Sequence, residues 1–258
     1  MLGAIVGDIV GSVYEFDNHR SKDFPLFRED STFTDDTILS IATADALMHY
    51  EWDFAAKYRE YGKKYPSSYG NSFLKWIHDD EAGPYDSFGN GSAMRVSPIS
   101  WFVNHDHRVM FLAEKSAGVT HNHPEGIKGA QATAMAIFWA RRGVPRNRIR
   151  RDLESMFGYD TSVSVEELQK TYEYNETCQR TVPEAFRCFY EATDFEDAIR
   201  NAISIGGDSD TVAAIAGSMA EAKWGVPEEI EREALGLSLI HISEPTRRTI
   251  PSRMPSSA

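Results

Sequence analysis

The stretch Gly206-Gly207-Asp208-Ser209-Asp210-Thr211-Val212-Ala213-Ala214-Ile215-Ala216-Gly217 governs how the rest of the chain is read. From Thr211 to Trp224 small and apolar residues fall on nearly every face, and Gly225 supplies a stop. A helix with no broad polar face belongs at the centre of a bundle. His123 to Arg142 has the same character, with Gly126, Gly129, Ala130, Ala132, Ala134 and Ala136 leaving little bulk, and Gly143 closes it. Two such helices call for others to surround them.

The remaining chain supplies those helices. Helical periodicity dominates, while alternating strand patterns and Asn-Gly hairpin turns are scarce. The expected fold is all-α: a single-domain helical bundle over residues 1–235. A helix is predicted from Leu2 to about Phe16, with Gly3, Gly7 and Gly11 in a stripe that lets another helix approach. Each glycine costs about 1 kcal/mol of helix propensity, so packing must offset it. Asp8, Ser12 and Glu15, at i, i+4 and i+7, share one helical face beside that stripe. Thr34 reads as the cap of a helix over Ile38 to Tyr50. Ser164 with Glu167, and Thr181 with Glu184, fit the capping box. Pro124 and Pro227 suit first turns. Ser67 to Ser92 reads as a loop-rich segment carrying Tyr69, Phe73, Trp76, Tyr85 and Phe88. Its aromatics are expected mostly in the core, with stacking on a base as the alternative. Residues 236–258 form a basic, proline- and serine-rich tail. Within it, Leu237 to Arg248 resembles translated adapter sequence, so the tail reads as non-native or disordered and is set aside.

Composition narrows the function classes. The 258 residues are 41% hydrophobic and 12% aromatic, enough for one sizeable core. A net charge of -12 argues against nucleic acid or an anionic membrane as the main partner. A phosphorylated small molecule stays compatible if metal ions supply positive charge locally. Cys178 and Cys188 define no disulfide framework. The N-terminus has no basic region before its apolar run, which Asp8 interrupts, so it does not read as a secretory signal. No run of about 18 apolar residues exists. The expectation is a cytoplasmic monomer.

Two acidic clusters carry the chemistry. Thr34-Asp35-Asp36-Thr37, read alone, is a capped helix start with acids favoured by the macrodipole. Asp208 and Asp210 precede an almost acid-free helix and follow two glycines, which capping does not explain. Glycines let the backbone turn sharply, so carboxylates at i and i+2 and the next hydroxyl can converge. Like charges converging in a partly buried site repel, and a cation relieves the repulsion. The candidate ligands are all oxygens, which selects Mg2+ with Mn2+ next, and disfavours zinc. Glu15, Asp35, Asp36, Asp208 and Asp210 are more acids than one ion needs, so two ions are expected.

Five segments then align in order: Gly7-Asp8 through Gly11-Ser12 to Glu15; Thr34-Asp35-Asp36-Thr37; Gly89-Asn90-Gly91-Ser92-Ala93-Met94-Arg95 with Pro98; Thr120-His121; and Gly206 to Gly217. On these residues the chain resembles the ADP-ribosylglycohydrolase family. The resemblance implies an orthogonal all-α bundle with a binuclear Mg2+ or Mn2+ site in a cleft. It implies Thr34, Asp35, Asp36, Asp208, Asp210 and Thr211 as metal ligands. Glu15 matches an acid beside the metals, and Gly89, Asn90, Gly91, Ser92, Met94 and His121 match parts of the ADP-ribose pocket. The implied substrate is ADP-ribose joined to a protein side chain or small acceptor.

Hydrolysis at the anomeric carbon passes through an oxocarbenium-like transition state, and Glu15 or Asp36 is the candidate for moving the proton. Arg95 reads equally as a phosphate contact or as the partner of a buried acid. His123 reads equally as a helix cap or a substrate contact. Two other functions stay open: a helical di-magnesium phosphohydrolase acting on nucleotide pyrophosphates, and a non-catalytic ADP-ribose binder. The first usually presents acids at i, i+3 or i+4 along a helix face, unlike the helix-start acids here.

Overall fold

The computed structural model describes residues 1–49 and 52–237. In chain order they form α1 (Leu2–Gly11), α2 (Asp35–Met48), α3 (Phe54–Lys64), α4 (Asn71–His78), α5 (Gly91–Met94), α6 (Ser97–Phe102) and α7 (Asp106–Gly118). These are followed by α8 (Pro124–Arg141), α9 (Arg146–Phe157), α10 (Val165–Thr171), α11 (Cys178–Glu191), α12 (Phe195–Ser204), α13 (Ser209–Trp224) and α14 (Glu228–Leu237). The described residues contain no strand; Gly89 and Thr177 form one isolated antiparallel bridge. No described helix is long and apolar enough to cross a membrane. The all-α expectation holds.

Helix α13 is the hub. Every residue from Ser209 to Ala220 is buried, and α1, α8, α11 and α12 pack against it. The tightest of these contacts is with α1, through the glycine stripe. A Cβ on Gly3 would lie 2.1 Å from the Gly217 carbonyl oxygen, and one on Gly7 would lie 2.1 Å from that of Ala213. A Cβ on Gly11 would lie 2.4 Å from the Asp210 Cα. Backbone meets backbone along the seam, and Asp8 is thereby brought beside Asp210. Val6, Ile9 and Val10 of α1 are fully buried, each stabilising by about 1.5–3 kcal/mol, which offsets the poor propensity of the glycines.

Most predicted ends hold. Thr34 caps α2, accepting from the Asp36 backbone N–H at 3.3 Å. Ser164 caps α10 through Glu167 N–H. Pro124 opens α8, and His123 caps it by accepting from Glu125 N–H through Nδ1. Gly143 and Gly225 follow α8 and α13 with positive φ. Pro227 immediately precedes α14.

Several expectations need correcting. Helix α1 stops at Gly11 rather than Phe16, and a turn closed by Tyr14 N–H on the Gly11 carbonyl carries the chain onward. Helix α2 ends at Met48; position 50 lies outside the described residues. The segment 67–92 is less loop-like than its composition suggested. It holds α4 and the start of α5, because Phe73, Trp76 and Ile77 give α4 one apolar face that sinks into the core with Tyr69. Thr181 and Glu184 are no capping box. Helix α11 begins earlier, at Cys178, whose N–H bonds the Phe88 carbonyl, so both residues lie inside it. The domain boundary expected at 235 falls within α14, which runs to Leu237; the remaining tail, 238–258, lies outside the described residues.

Candidate active site

The acidic site is assembled from the ends of helices. Gly206 (φ +69°) and Gly207 (φ +79°) carry the chain out of α12 in a left-handed conformation that side chains resist. Their turn delivers Asp208 and Asp210 to the start of α13. Asn18 fixes this turn: its Nδ2 donates to the Gly207 carbonyl at 3.0 Å and its Oδ1 accepts from Gly207 N–H at 2.8 Å. The same Nδ2 reaches the Glu15 carbonyl at 2.9 Å, so one amide ties the Glu15 turn to the aspartate turn.

The two clusters separated in sequence meet here. Carboxylate oxygens of Glu15, Asp208 and Asp210 lie within 4.8 Å of one another. The Thr34 hydroxyl donates to Asp8 Oδ1 at 2.7 Å and stands 3.4 Å from Asp210 Oδ2. Thr211 donates its hydroxyl to Asp36 Oδ2 at 3.2 Å, and its N–H bonds Asp210 Oδ1 at 2.8 Å. Asp36, Asp208, Asp210 and Thr211 are buried, while Thr34, Asp35 and Glu15 are half-buried at the rim. Tyr174 donates its hydroxyl toward Glu176 Oε1 at 2.8 Å, with Glu15 Oε1 at 3.3 Å.

Electrostatics make this arrangement costly on its own. Burial first, then the charge of Asp210, pushes the Glu15 carboxyl up to about 7. Asp208 rises to about 6, chiefly from burial, although Asn90 lowers it by donating at 2.6 Å. Asp35 and Asp36 are pushed well up by burial and then by the charges of Asp210 and Asp8, and Asp210 by burial and then by the neighbouring Asp208. Among the described residues, no lysine or arginine pairs with Asp8, Asp35, Asp36, Asp208 or Asp210. Asp36 Oδ1 is buried with no hydrogen-bond partner. An oxygen-only donor set, an unpartnered buried carboxylate oxygen and no counter-cation fit hard divalent ions.

Asp8 and Asn18 escaped sequence reasoning as site residues. Asp8 is fully buried and accepts from Thr34 N–H, Thr37 N–H and the Thr34 hydroxyl. The available signal was a lone acid in an otherwise apolar glycine-rich helix. Asn18 and Tyr174 left no signal, because their roles depend on turns that no periodicity describes.

The second group of candidates lines an adjoining loop. Asn90 bonds Asp208 and, at 3.1 Å, the Thr181 hydroxyl, so its side chain is directed to the acidic cluster. Its N–H bonds the Glu176 carbonyl at 2.7 Å. Ser92 donates to the Gly126 carbonyl at 2.7 Å and Met94 is buried, its sulfur 4.0 Å from the Thr211 hydroxyl. His121 Nε2 lies 3.5 Å and 3.3 Å from the positions a Cβ would take on Gly89 and Gly91. Arg95 meets neither reading offered for it. It is fully buried and, among the described residues, pairs with no acid. Its Nη2 donates to the Ser116 carbonyl at 2.8 Å and to the Thr120 hydroxyl at 2.9 Å, and its guanidinium lies 4.2 Å from the Tyr58 ring centroid.

An all-helical fold whose helix ends gather carboxylates able to hold a metal ion defines a class of metal-compatible scaffold. Residues 1–241 match the ADP-ribosylglycohydrolase family, and the chain belongs to it. That family comprises glycosidic-bond hydrolases. The chain is 26% identical to the mouse ADP-ribosylhydrolase ARH3, over 92% of this chain and 86% of the relative. It is 25% identical to the ADP-ribosylarginine hydrolase Tri1 of Pseudomonas putida, over 91% and 73%. A solved structure described as an ADP-ribosylglycohydrolase-related protein complex superposes with a TM-score of 0.66 at 26% identity, covering 92% of this chain and 95% of that one.

Proposed function

We propose that the protein is a Mg2+-dependent hydrolase that cleaves the N- or O-glycosidic bond between ADP-ribose and a protein side chain or small acceptor. The observation that carries this is the convergence of Asp35, Asp36, Asp208 and Asp210 with Glu15 and, among the described residues, no paired lysine or arginine for the four aspartates. In this reading Thr34, Asp35, Asp36, Asp208, Asp210 and Thr211 hold two Mg2+ ions, with Mn2+ able to substitute. When bound, the ions supply the positive charge that fixes the hydroxyls of the distal ribose. Glu15 stands at the rim, hydrogen-bonded to Tyr174, where it can reach a leaving group; Asp36 lies deeper and suits ion holding. Glu15 is therefore the residue assigned to moving a proton between water and the leaving group as the bond at the anomeric carbon breaks. The loop containing Gly89, Asn90, Gly91, Ser92 and Met94, with His121, borders the ADP-ribose. The substrate is an ADP-ribosylated protein, acted on by a monomer; the arginine linkage named for Tri1 and the serine linkage are the two acceptors to test first.

The test incubates the protein with singly linked ADP-ribosyl-arginine and ADP-ribosyl-serine peptides, with and without Mg2+. Release of ADP-ribose only with Mg2+ is the expected result. Asp208→Ala and Asp210→Ala should lose both hydrolysis and the rise in melting temperature that Mg2+ causes. Full activity of either variant in excess chelator sinks the proposal.

A further inference from the structure

Behind the loop from Gly89 to Met94 lies a buried chain of hydrogen bonds that the acidic site does not use. It begins at Arg95, whose Nη2 donates at 2.9 Å to Thr120 Oγ1. Thr120 Oγ1 in turn stands 2.7 Å from His121 Nδ1. All three residues are buried, and Arg95 and Thr120 are fully so. Burial, reinforced by the Arg95 charge, pushes the His121 imidazole well below its usual range, so the ring is neutral and carries one proton. Which nitrogen holds that proton decides whether His121 Nε2 is a donor or an acceptor.

The direction of the chain answers that. A guanidinium only donates, so Thr120 Oγ1 accepts from Arg95. The hydroxyl has a single hydrogen and two neighbours that could take it: His121 Nδ1, and the Tyr85 hydroxyl close by. The Tyr85 phenol has its own hydrogen and can donate into Oγ1, leaving the threonine hydrogen for Nδ1. The opposite arrangement puts an Nδ1–H into Oγ1 and aims its positive end at the buried Arg95 charge, which no carboxylate of the described residues pairs within 4.0 Å. A lone pair on Nδ1 has no such conflict.

We propose that Arg95 and Thr120 are positioning residues that hold His121 as the neutral Nε2–H tautomer. The donor so formed faces the gap that Gly89 and Gly91 leave beside Nε2, where it makes no hydrogen bond to any described residue. Its partner is an acceptor oxygen of the ligand, a phosphate or ribose oxygen. That last step rests on the proposed reading of this loop as the ADP-ribose pocket; the tautomer itself does not.

Long-range proton–nitrogen NMR of uniformly 15N-labelled protein reads the tautomer directly, with His121→Gln assigning the signal. The expected spectrum shows a protonated Nε2 and an unprotonated Nδ1 in the ligand-free wild type. Thr120→Val, which keeps the shape and removes the hydroxyl, should raise the Nδ1–H population and weaken ADP-ribose binding about tenfold by calorimetry. Thr120→Ser should restore both. A wild-type spectrum with protonated Nδ1 overturns the proposal, as does a Thr120→Val spectrum identical to the wild type. If the tautomer is as stated but His121→Ala binds ADP-ribose with unchanged affinity, the pocket reading fails and the relay stands alone.

Discussion

Asp8 caps a helix to which it does not belong. From α1 it accepts both Thr34 and Thr37 N–H groups at the start of α2, besides the Thr34 hydroxyl. Asp8→Asn replaces one acceptor oxygen with an amino group facing those donors. Each unmet buried donor costs about 1–3 kcal/mol, so a loss of about 2–4 kcal/mol in urea unfolding is expected, with reduced hydrolysis. An unchanged unfolding midpoint would refute this role. Glu184 on α11 offers a prediction about pH. Its side chain is only 13% exposed, Oε2 has no partner, and burial pushes the carboxyl up to about 7 despite Arg180 nearby. Because the folded value exceeds the unfolded one, the protonated acid stabilises the fold fully below about 4.5. That contribution fades as pH rises through about 7. The interval corresponds to on the order of 3 kcal/mol. Glu184→Gln should therefore match the wild type near pH 4.5 and become more stable by about 1–3 kcal/mol at pH 8. Chemical denaturation at the two pH values decides it; a pH-independent difference rejects the account.

Among the helices, the α1–α13 seam is the most demanding contact. Gly7→Ala places a methyl 2.1 Å from the Ala213 carbonyl oxygen, and no flexible side chain is there to yield. The helices must part, at a cost of about 1–3 kcal/mol or more. Parting them also moves Asp8 from Thr34, so hydrolysis should fall at least tenfold. Gly118→Ala, at the end of α7 with nothing within 4 Å of the new carbon, should be neutral or stabilising by up to about 1 kcal/mol. Equal loss of stability in the two variants would show that the seam has no special standing. The stripe and the alanine-rich α8 and α13 were legible in sequence because close packing demands small residues. Helix α4 was not: its eight residues are too short for periodicity to stand out among glycines and aromatics. The start of α11 was hidden because a tertiary bond from Cys178 N–H to the Phe88 carbonyl, rather than a side-chain cap, sets it.

For the whole molecule, the acidic cluster makes stability depend on what occupies it. Mg2+ at about 100 times its dissociation constant should add about 2.7 kcal/mol for each independent site, and chelator should remove it. Thermal unfolding of the wild type and of Asp210→Ala, with and without Mg2+, measures this; equal shifts in both proteins would place the ion elsewhere. The meeting of the aspartate clusters was legible only through their order along the chain. Their spacing of more than 170 residues says nothing about distance, which the seam and the Asn18 staple supply. The seam also sets how the molecule can breathe. Helices locked at their backbones cannot slide or spread without losing Asp8's bonds to α2, so the floor of the cleft behaves as one rigid plate. Freedom to adapt then falls to the helix-free stretches 12–34 and 172–177, which bear Glu15, Asn18 and Tyr174. Amide exchange should be slowest in α1 and α13 and fastest in those two borders, making the borders, and not the acidic floor, the adaptable part of the protein.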